Sequence, residues 1–99
     1  MIIGKVIGSV VSTQKDEKLR DMKFLIVQRH DHMNRPLEEI AVCVDAMGAG
    51  IHEMVLYCTG SSARQTKLTE GKPCDAVIMA ILDSWDVGGE QVFFKERDL

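Results

Sequence analysis

Few side chains in this 99-residue sequence are placed to do chemistry. His30-Asp31-His32 is the best metal-ligand pattern. Alternate residues of a strand share a face, so both imidazoles would point the same way. A zinc site needs a third and a fourth ligand, and no second cluster is evident. The expectation is a polar strand end and no metal. Cys58 or Cys74 with His52 would suggest a thiol nucleophile, but nothing in the spacing brings them together and no third orienting group stands out. Glu38 and Glu39 would point to opposite faces of a strand, so they are no acid/base pair. Ser61-Ser62 has no GxSxG elbow around it. Gly48-Ala49-Gly50 resembles half of a dinucleotide fingerprint. The third glycine is missing, because Glu53 occupies its position, and so is the surrounding βαβ unit. A structural glycine turn at Gly48 and Gly50 is the expectation. No catalytic residues and no cofactor are expected.

Bulk properties narrow the class. The length fits one domain, residues 1–99, with a small core. Hydrophobic residues at 45% fit a globular chain, but aromatics at only 5% leave Val, Ile, Leu and Met to supply most of the packing. A net charge of -3 argues against a nucleic-acid partner, whose phosphates favour a basic face. Cys43, Cys58 and Cys74 are odd in number and lack CxxC spacing, so reduced thiols in a cytoplasmic protein are expected. Gly4, Lys5 and Gly8 interrupt the apolar start before a signal-peptide core forms. No apolar run approaches the roughly 20 residues of a membrane helix.

Such side chains must be carried by strands. Short β-rich runs alternate with turn signals, and little reads as helix. The runs are Ile2 to Thr13, Met22 to Asp31, Glu39 to Met47, Glu53 to Thr59 and Asp75 to Leu82. Gly88-Gly89 marks a hairpin into Gln91-Val92-Phe93-Phe94. Gly4 and Gly8, four apart and expected on one strand face, suit a strand curling around a small barrel. In the third run Ile40, Val42, Val44 and Ala46 share one face, while Ala41 and Cys43 face the other way. Lys15 to Lys18 reads as a charged loop and Asn34-Arg35-Pro36 as a turn. Gly60 to Gln65 can open a short helix, with Ser62 and Gln65 spaced as a capping box. The fold class expected is mainly β, a small closed barrel with one short helix.

Several runs are apolar on both faces: Phe24 to Val27, Ala41 to Val44 and Val77 to Leu82. A barrel this small buries only its inward face, and a single 99-residue chain is expected to have no second layer to cover the outward one. Burial at about 25 cal/mol per Å² makes oligomerisation the natural cover.

Five segments in order then resemble one family. They are Gly4 to Thr13 with Lys15; Leu19 with Lys23 to Gln28; Ala41 to Gly50 with Glu53 to Leu56; Gly60-Ser61-Ser62-Ala63-Arg64; and Pro73 to Ile78 with Ile81-Leu82-Asp83. The family is the vertex proteins of bacterial microcompartments, found in carboxysomes and in ethanolamine, propanediol and glycyl-radical metabolosomes. The resemblance implies a five-stranded OB-like barrel assembled as a cyclic homopentamer. It implies a structural role at the corners of a cytoplasmic shell otherwise tiled by hexameric shell proteins, with no nucleic acid and no membrane as partner. It also implies that Gly60, Ser61, Ser62, Ala63 and Arg64 lie near the five-fold axis and shape a central pore. Two departures stand out: His52 and Ala80 occupy positions where the family commonly has glycine. The competing reading is an OB-like module for single-stranded nucleic acid. It would need a basic face with stacking aromatics, whereas Trp85, Tyr57 and the three Phe fall mostly within apolar runs.

Overall fold

β-Branched and aliphatic residues dominate each of five strands, and those strands close on one another. The computed structural model describes residues 1–13, 15–19, 21–60, 63 and 75–99. The barrel strands are β1 (Ile2–Val10), β2 (Lys23–His30), β3 (Pro36–Asp45), β4 (Met54–Thr59) and β5 (Ala76–Ile81). Their order around the barrel is β1-β2-β3-β5-β4, and β4 pairs back onto β1. All neighbours are antiparallel except β3 and β5, which pair in parallel over Val44 and Asp45 alone among the described residues. The OB-like barrel expected from the sequence is the fold found.

The barrel interior is lined by Val6, Leu25, Val27, Cys43, Val55, Tyr57 and Ile78, with Ala49 plugging one end. Alternation explains most of this list. Leu25 and Val27 face inward from β2, and Ala41 and Cys43 do so from β3. Two bulges alter the alternation elsewhere. In β1 the pairing steps from Val6↔Val27 to Gly8↔Ile26, so Ile7 is an extra residue. Gly4 therefore points inward while Gly8 lies on the outer face beside Ile26. The shared face expected of these two glycines is lost to that one inserted residue. In β5 the pairing steps from Tyr57↔Ile78 to Leu56↔Ala80 around Met79. That slip lets Ile81 join Ile78 in packing on the inner core.

A second, smaller cluster lies outside the barrel wall. Val44, Cys58 and Val77 project outward and are covered by Met22 and Ala63, with Phe24 and Met79 at the margin. The single chain thus makes a partial second layer, contrary to the expectation from its length. The layer is local, because Met22 precedes β2 and Ala63 follows β4, and each reaches only the nearest strands.

The chain beyond the barrel forms a hairpin of β6 (Ser84–Val87) and β7 (Glu90–Phe94), then a one-turn helix α1 (Lys95–Asp98). Gly88 and Gly89 both have positive φ, 60° and 84°. Positive φ at both central residues is the two-residue turn whose twist matches antiparallel strands. Trp85 packs on Phe93 with ring centroids 5.1 Å apart. The helix α1 and a 3-10 turn at Glu17–Leu19 were not expected from the sequence. Of the helix expected over Gly60 to Gln65, Gly60 and Ala63 adopt 3-10 geometry, and the remaining residues lie outside those described. β3 begins at Pro36, which the sequence reading placed in a turn. Proline is tolerated as the first residue of a strand, where no ladder donor is missed.

Gly4 marks the tightest approach in the barrel. A Cβ there would lie 2.5 Å from Val27 Cγ1, 2.8 Å from Tyr57 Cε1 and 2.9 Å from the Gln28 carbonyl oxygen. At Gly8 the nearest atom would be Ile26 Cδ1 at 3.6 Å. Gly4→Ala is expected to cost about 2–3 kcal/mol by overpacking, whereas Gly8→Ala is expected to stay within about 0.5 kcal/mol. Urea midpoints at one fixed protein concentration check this, and equal midpoints for the two variants would refute it.

Candidate functional site

Each sequence candidate has a definite place. His30 ends β2, nearly buried, and its Nδ1 is 2.8 Å from Asn34 Oδ1. His32 lies two residues beyond the strand end, exposed, and its carbonyl accepts a hydrogen bond from Trp85 Nε1 at 2.8 Å. Strand alternation stops at His30, so it does not pair the two imidazoles. Asp31 Oδ1 accepts from the amides of Met33 and Arg35, both at 2.9 Å. The Arg35 amide is the largest influence holding this carboxyl below its ordinary value. Asp31 thus acts as a turn cap. Among the described residues no three His, Cys, Asp or Glu side chains gather as a metal site.

The thiol–imidazole candidate also comes apart. Cys58 sits near the end of β4 in the outer cluster, whereas His52 is exposed before the start of that strand. Cys74 lies outside the described residues. Cys43 lies inside the barrel, where burial, with smaller effects from Cys58 and Asp75, pushes its thiol up to about 12. At neutral pH it is a packed thiol and no nucleophile.

The Gly48 and Gly50 segment closes one end of the barrel. The nearly buried carboxylate of Asp45 accepts hydrogen bonds from the amides of Met47, Gly48 and Ala49 at 2.9, 3.2 and 3.0 Å. Gly48 has φ +77°, and the amide of Gly50 donates to Glu53 Oε1 at 2.6 Å. His52 has φ 74°, and its amide donates to the Val6 carbonyl at 2.8 Å. Left-handed backbone favours glycine, so the histidine here adopts a conformation suited to the residue it departs from. Asp21, Asn34 and His52 are the non-glycine residues of positive φ among those described, and their types tolerate that region better than most. Glu53 also binds Lys95 Nζ through Oε2, tying the base of the β6–β7 hairpin to this loop. The sequence carried a hint of the cap, an Asp placed two to four residues before a glycine-rich turn.

Of the segment from Gly60 to Arg64, Gly60 has φ 69° and its amide donates to the Asp75 carbonyl at 2.7 Å. Ala63 is fully buried in the outer cluster. Ser61, Ser62 and Arg64 lie outside the described residues.

The feature with most to explain is an uncovered apolar face. Gly8, Ile26 and Val42 pair in one row across the outside of β1, β2 and β3. Ile40 continues it opposite Gln28. Ile40 is 61% exposed and Val42 49%, and Ile7, next to Gly8 on β1, is 44% exposed. In OB-folds the face of strands 2 and 3 is the ligand platform. A platform for single strands needs stacking rings and cations. Here Phe24 is the one ring on the outside of these two strands; it packs against the outer cluster, with Lys15 Nζ 5.4 Å from its centroid. Tyr57 is in the barrel interior and Trp85 is stacked on Phe93. Apart from Gln28 the row is aliphatic, which suits another protein surface and gives a base nothing to stack on.

Comparison with known proteins adds to this geometry. The profile of the family described as ethanolamine utilisation protein EutN/carboxysome matches residues 1–83. The carboxysome shell vertex protein CcmL of Gloeobacter violaceus is 41% identical over 96 residues, covering 97% of this chain and 96% of that one. Its solved structure superposes with a TM-score of 0.93 over 97% of this chain and 99% of the other. The GrpN pentameric microcompartment shell protein from Rhodospirillum rubrum superposes with a TM-score of 0.81 at 41% identity, over 88% of this chain and 99% of its own.

The Glu53–Lys95 contact has a pH signature. The hydrogen bond from Lys95, then that from the Gly50 amide, lowers the Glu53 carboxyl below its ordinary value of 4.5. A group depressed in the folded state stabilises above its unfolded value and loses that contribution as pH falls below it. Glu53→Gln is expected to be less stable than the parent at pH 7 and to lose less stability on acidification below 4.5. Thermal melts from pH 7 to 3 measure this, and parallel acid limbs for the two chains would contradict it.

Proposed function

Because the chain belongs to the ethanolamine utilisation EutN/carboxysome family, we infer that it is a structural subunit whose homopentamers close the vertices of a bacterial microcompartment shell. The observation that carries this reading is the aliphatic row on the outer face, where Ile40 and Val42 are left exposed on one chain beside a half-buried Ile26. A cyclic pentamer is a heterologous, closing assembly, in which every subunit offers a surface that its neighbour covers. Relatives over nearly the whole chain are shell vertex proteins, and GrpN is pentameric.

The role is mechanical rather than catalytic. The histidines end in turns, the Cys43 thiol stays protonated, and the carboxylates of Asp31, Asp45 and Glu53 are spent on backbone amides. The partners proposed are four further copies and the hexameric shell proteins that tile the facets around each vertex. Nothing in the face of β2 and β3 favours single-stranded nucleic acid.

Gly60, Ser61, Ser62, Ala63 and Arg64 are proposed to border the five-fold axis. Support comes from Ala63, whose burial beside Val44, Cys58 and Val77 anchors the segment to the barrel wall. Gly48 and Gly50, held by Asp45 and Glu53, are proposed as a structural turn that fixes one rim of the barrel. Replacing Ser61 or Ser62 with a bulky residue is expected to change shell permeability to small metabolites and leave the pentamer intact. Unchanged permeability would remove the pore from this account.

Light scattering is expected to give about 55 kDa, five times the 11.1 kDa chain. Val42→Glu, which puts a charge into the aliphatic row, is expected to dissociate the assembly and leave the barrel folded by circular dichroism. A monomeric parent chain at micromolar concentration would refute the ring.

A further inference from the structure

On the ring reading above, each protomer needs a second patch that complements the first, and the two ends of the barrel supply a matched pair. At one end, where β1 finishes and β2 begins, a groove of about 430 Å³ is lined by Val10, Val11, Met22 and Phe24 and flanked by Lys15 and Lys23. Val11 is 90% exposed. Lys15 Nζ donates to the Met22 carbonyl at 3.2 Å and keeps donors to spare. Lys23 lies 3.8 Å from Asp45 Oδ2 with its side chain mostly exposed. Among the described residues, Asp21 is the one carboxylate in the lining.

At the other end stands the β6–β7 hairpin. From Asp83 through Gln91 its sequence holds three carboxylates, Asp83, Asp86 and Glu90, and no basic residue. Val87 and the two turn glycines form its tip. Its base is fixed to the barrel at the start of β4, where Met54 faces Lys5 of β1, and just beyond the end of β2. The Leu82 amide donates to the Met54 carbonyl at 2.8 Å, and Trp85 Nε1 donates to the His32 carbonyl. A two-stranded hairpin alone is marginal in water, so one held this way has its direction set by the barrel.

We propose that the acidic hairpin tip of each protomer seats in the lysine-flanked groove of the next copy of this chain in the ring. Three observations choose a second copy as the occupant. Tip and groove have opposite charge, which favours encounter and register. The Trp85–His32 hydrogen bond holds the hairpin beyond the end of β2, whereas the groove lies at the start of β2, so a head-to-tail contact between chains is what would join them. The groove is also continuous with the aliphatic row, because Val10↔Phe24 and Gly8↔Ile26 are successive pairs on the same outer face. One neighbour would cover both.

Charge reversal and exchange test the pairing in the full chain. Lys15→Glu with Lys23→Glu, and separately Asp86→Lys with Glu90→Lys, are each expected to raise the pentamer's dissociation concentration by roughly tenfold or more. The chain carrying all four changes is expected to assemble more tightly than either parent. Unaltered dissociation in either double variant, or a quadruple variant no tighter than the weaker parent, overturns the proposal. The unmodified chain's mass tests the ring separately. Should a reversal unfold the chain, a cysteine pair decides: Val11→Cys with Val87→Cys in one chain is expected to give an oxidised ladder of up to five copies on a non-reducing gel. Neither single substitution should give a ladder. The absence of a ladder from the paired variant overturns the proposal whatever the parent's mass.

Discussion

A barrel of five short strands has one interior, and this chain has apolar residues for two faces. That mismatch governs the rest of the molecule. The inward set of Val6, Leu25, Val27, Cys43, Val55, Tyr57 and Ile78 fills the closed interior of the barrel. The outward set must be covered in another way. Met22 and Ala63 cover Val44, Cys58 and Val77 within the chain, and Ile40 and Val42, with half-buried Ile26 beside them, stay open to a neighbour. Hydrophobic burial then acts twice, first in closing the barrel and again in assembling it, with the same residue types on opposite sides of one sheet.

Closure has its own demands, met by polar groups at one end of the barrel. The Asp45 carboxylate gathers three consecutive loop amides, and Glu53 joins the Gly50 amide to the Lys95 ammonium. Each satisfies backbone donors that the turn would otherwise leave unpaired near the core. The loop from Met47 to Glu53 is therefore specified by a carboxylate at the end of β3 and by its own last residue. His52 occupies a left-handed conformation that glycine would adopt with less strain, and the hydrogen bond of its amide to Val6 holds it there.

Strands, turn glycines and the two-faced apolar pattern were legible because period-two alternation and φ preference are local. The Gly88-Gly89 hairpin is the clearest case, where a dipeptide alone dictates the turn. The bulges at Ile7 and Met79 were not legible. Their positions are set by the stagger that a closed sheet imposes, and neither residue type announces it. That is why Gly4 and Gly8 separated onto different faces. The histidines failed as a pair for a related reason, since alternation extends only as far as the strand. The Pro36 start of β3 was hidden by its turn-like neighbours, and the second layer by the distance in sequence between Met22 and Ala63. Identity as a shell subunit came from resemblance over the whole chain. From the residues alone, the path ends at a small barrel that needs company.

Cys43 and Cys58 stand on opposite sides of the same wall, one in the sealed interior and the other beneath the small lid of Met22 and Ala63. A thiol reagent can reach the first only when the barrel itself opens, and the second when the lid lifts. The two sulfurs therefore run as separate clocks in one molecule. Their labelling rates divide native-state breathing into a global motion and a local one, with no probe added to a protein whose surface is committed to its neighbours.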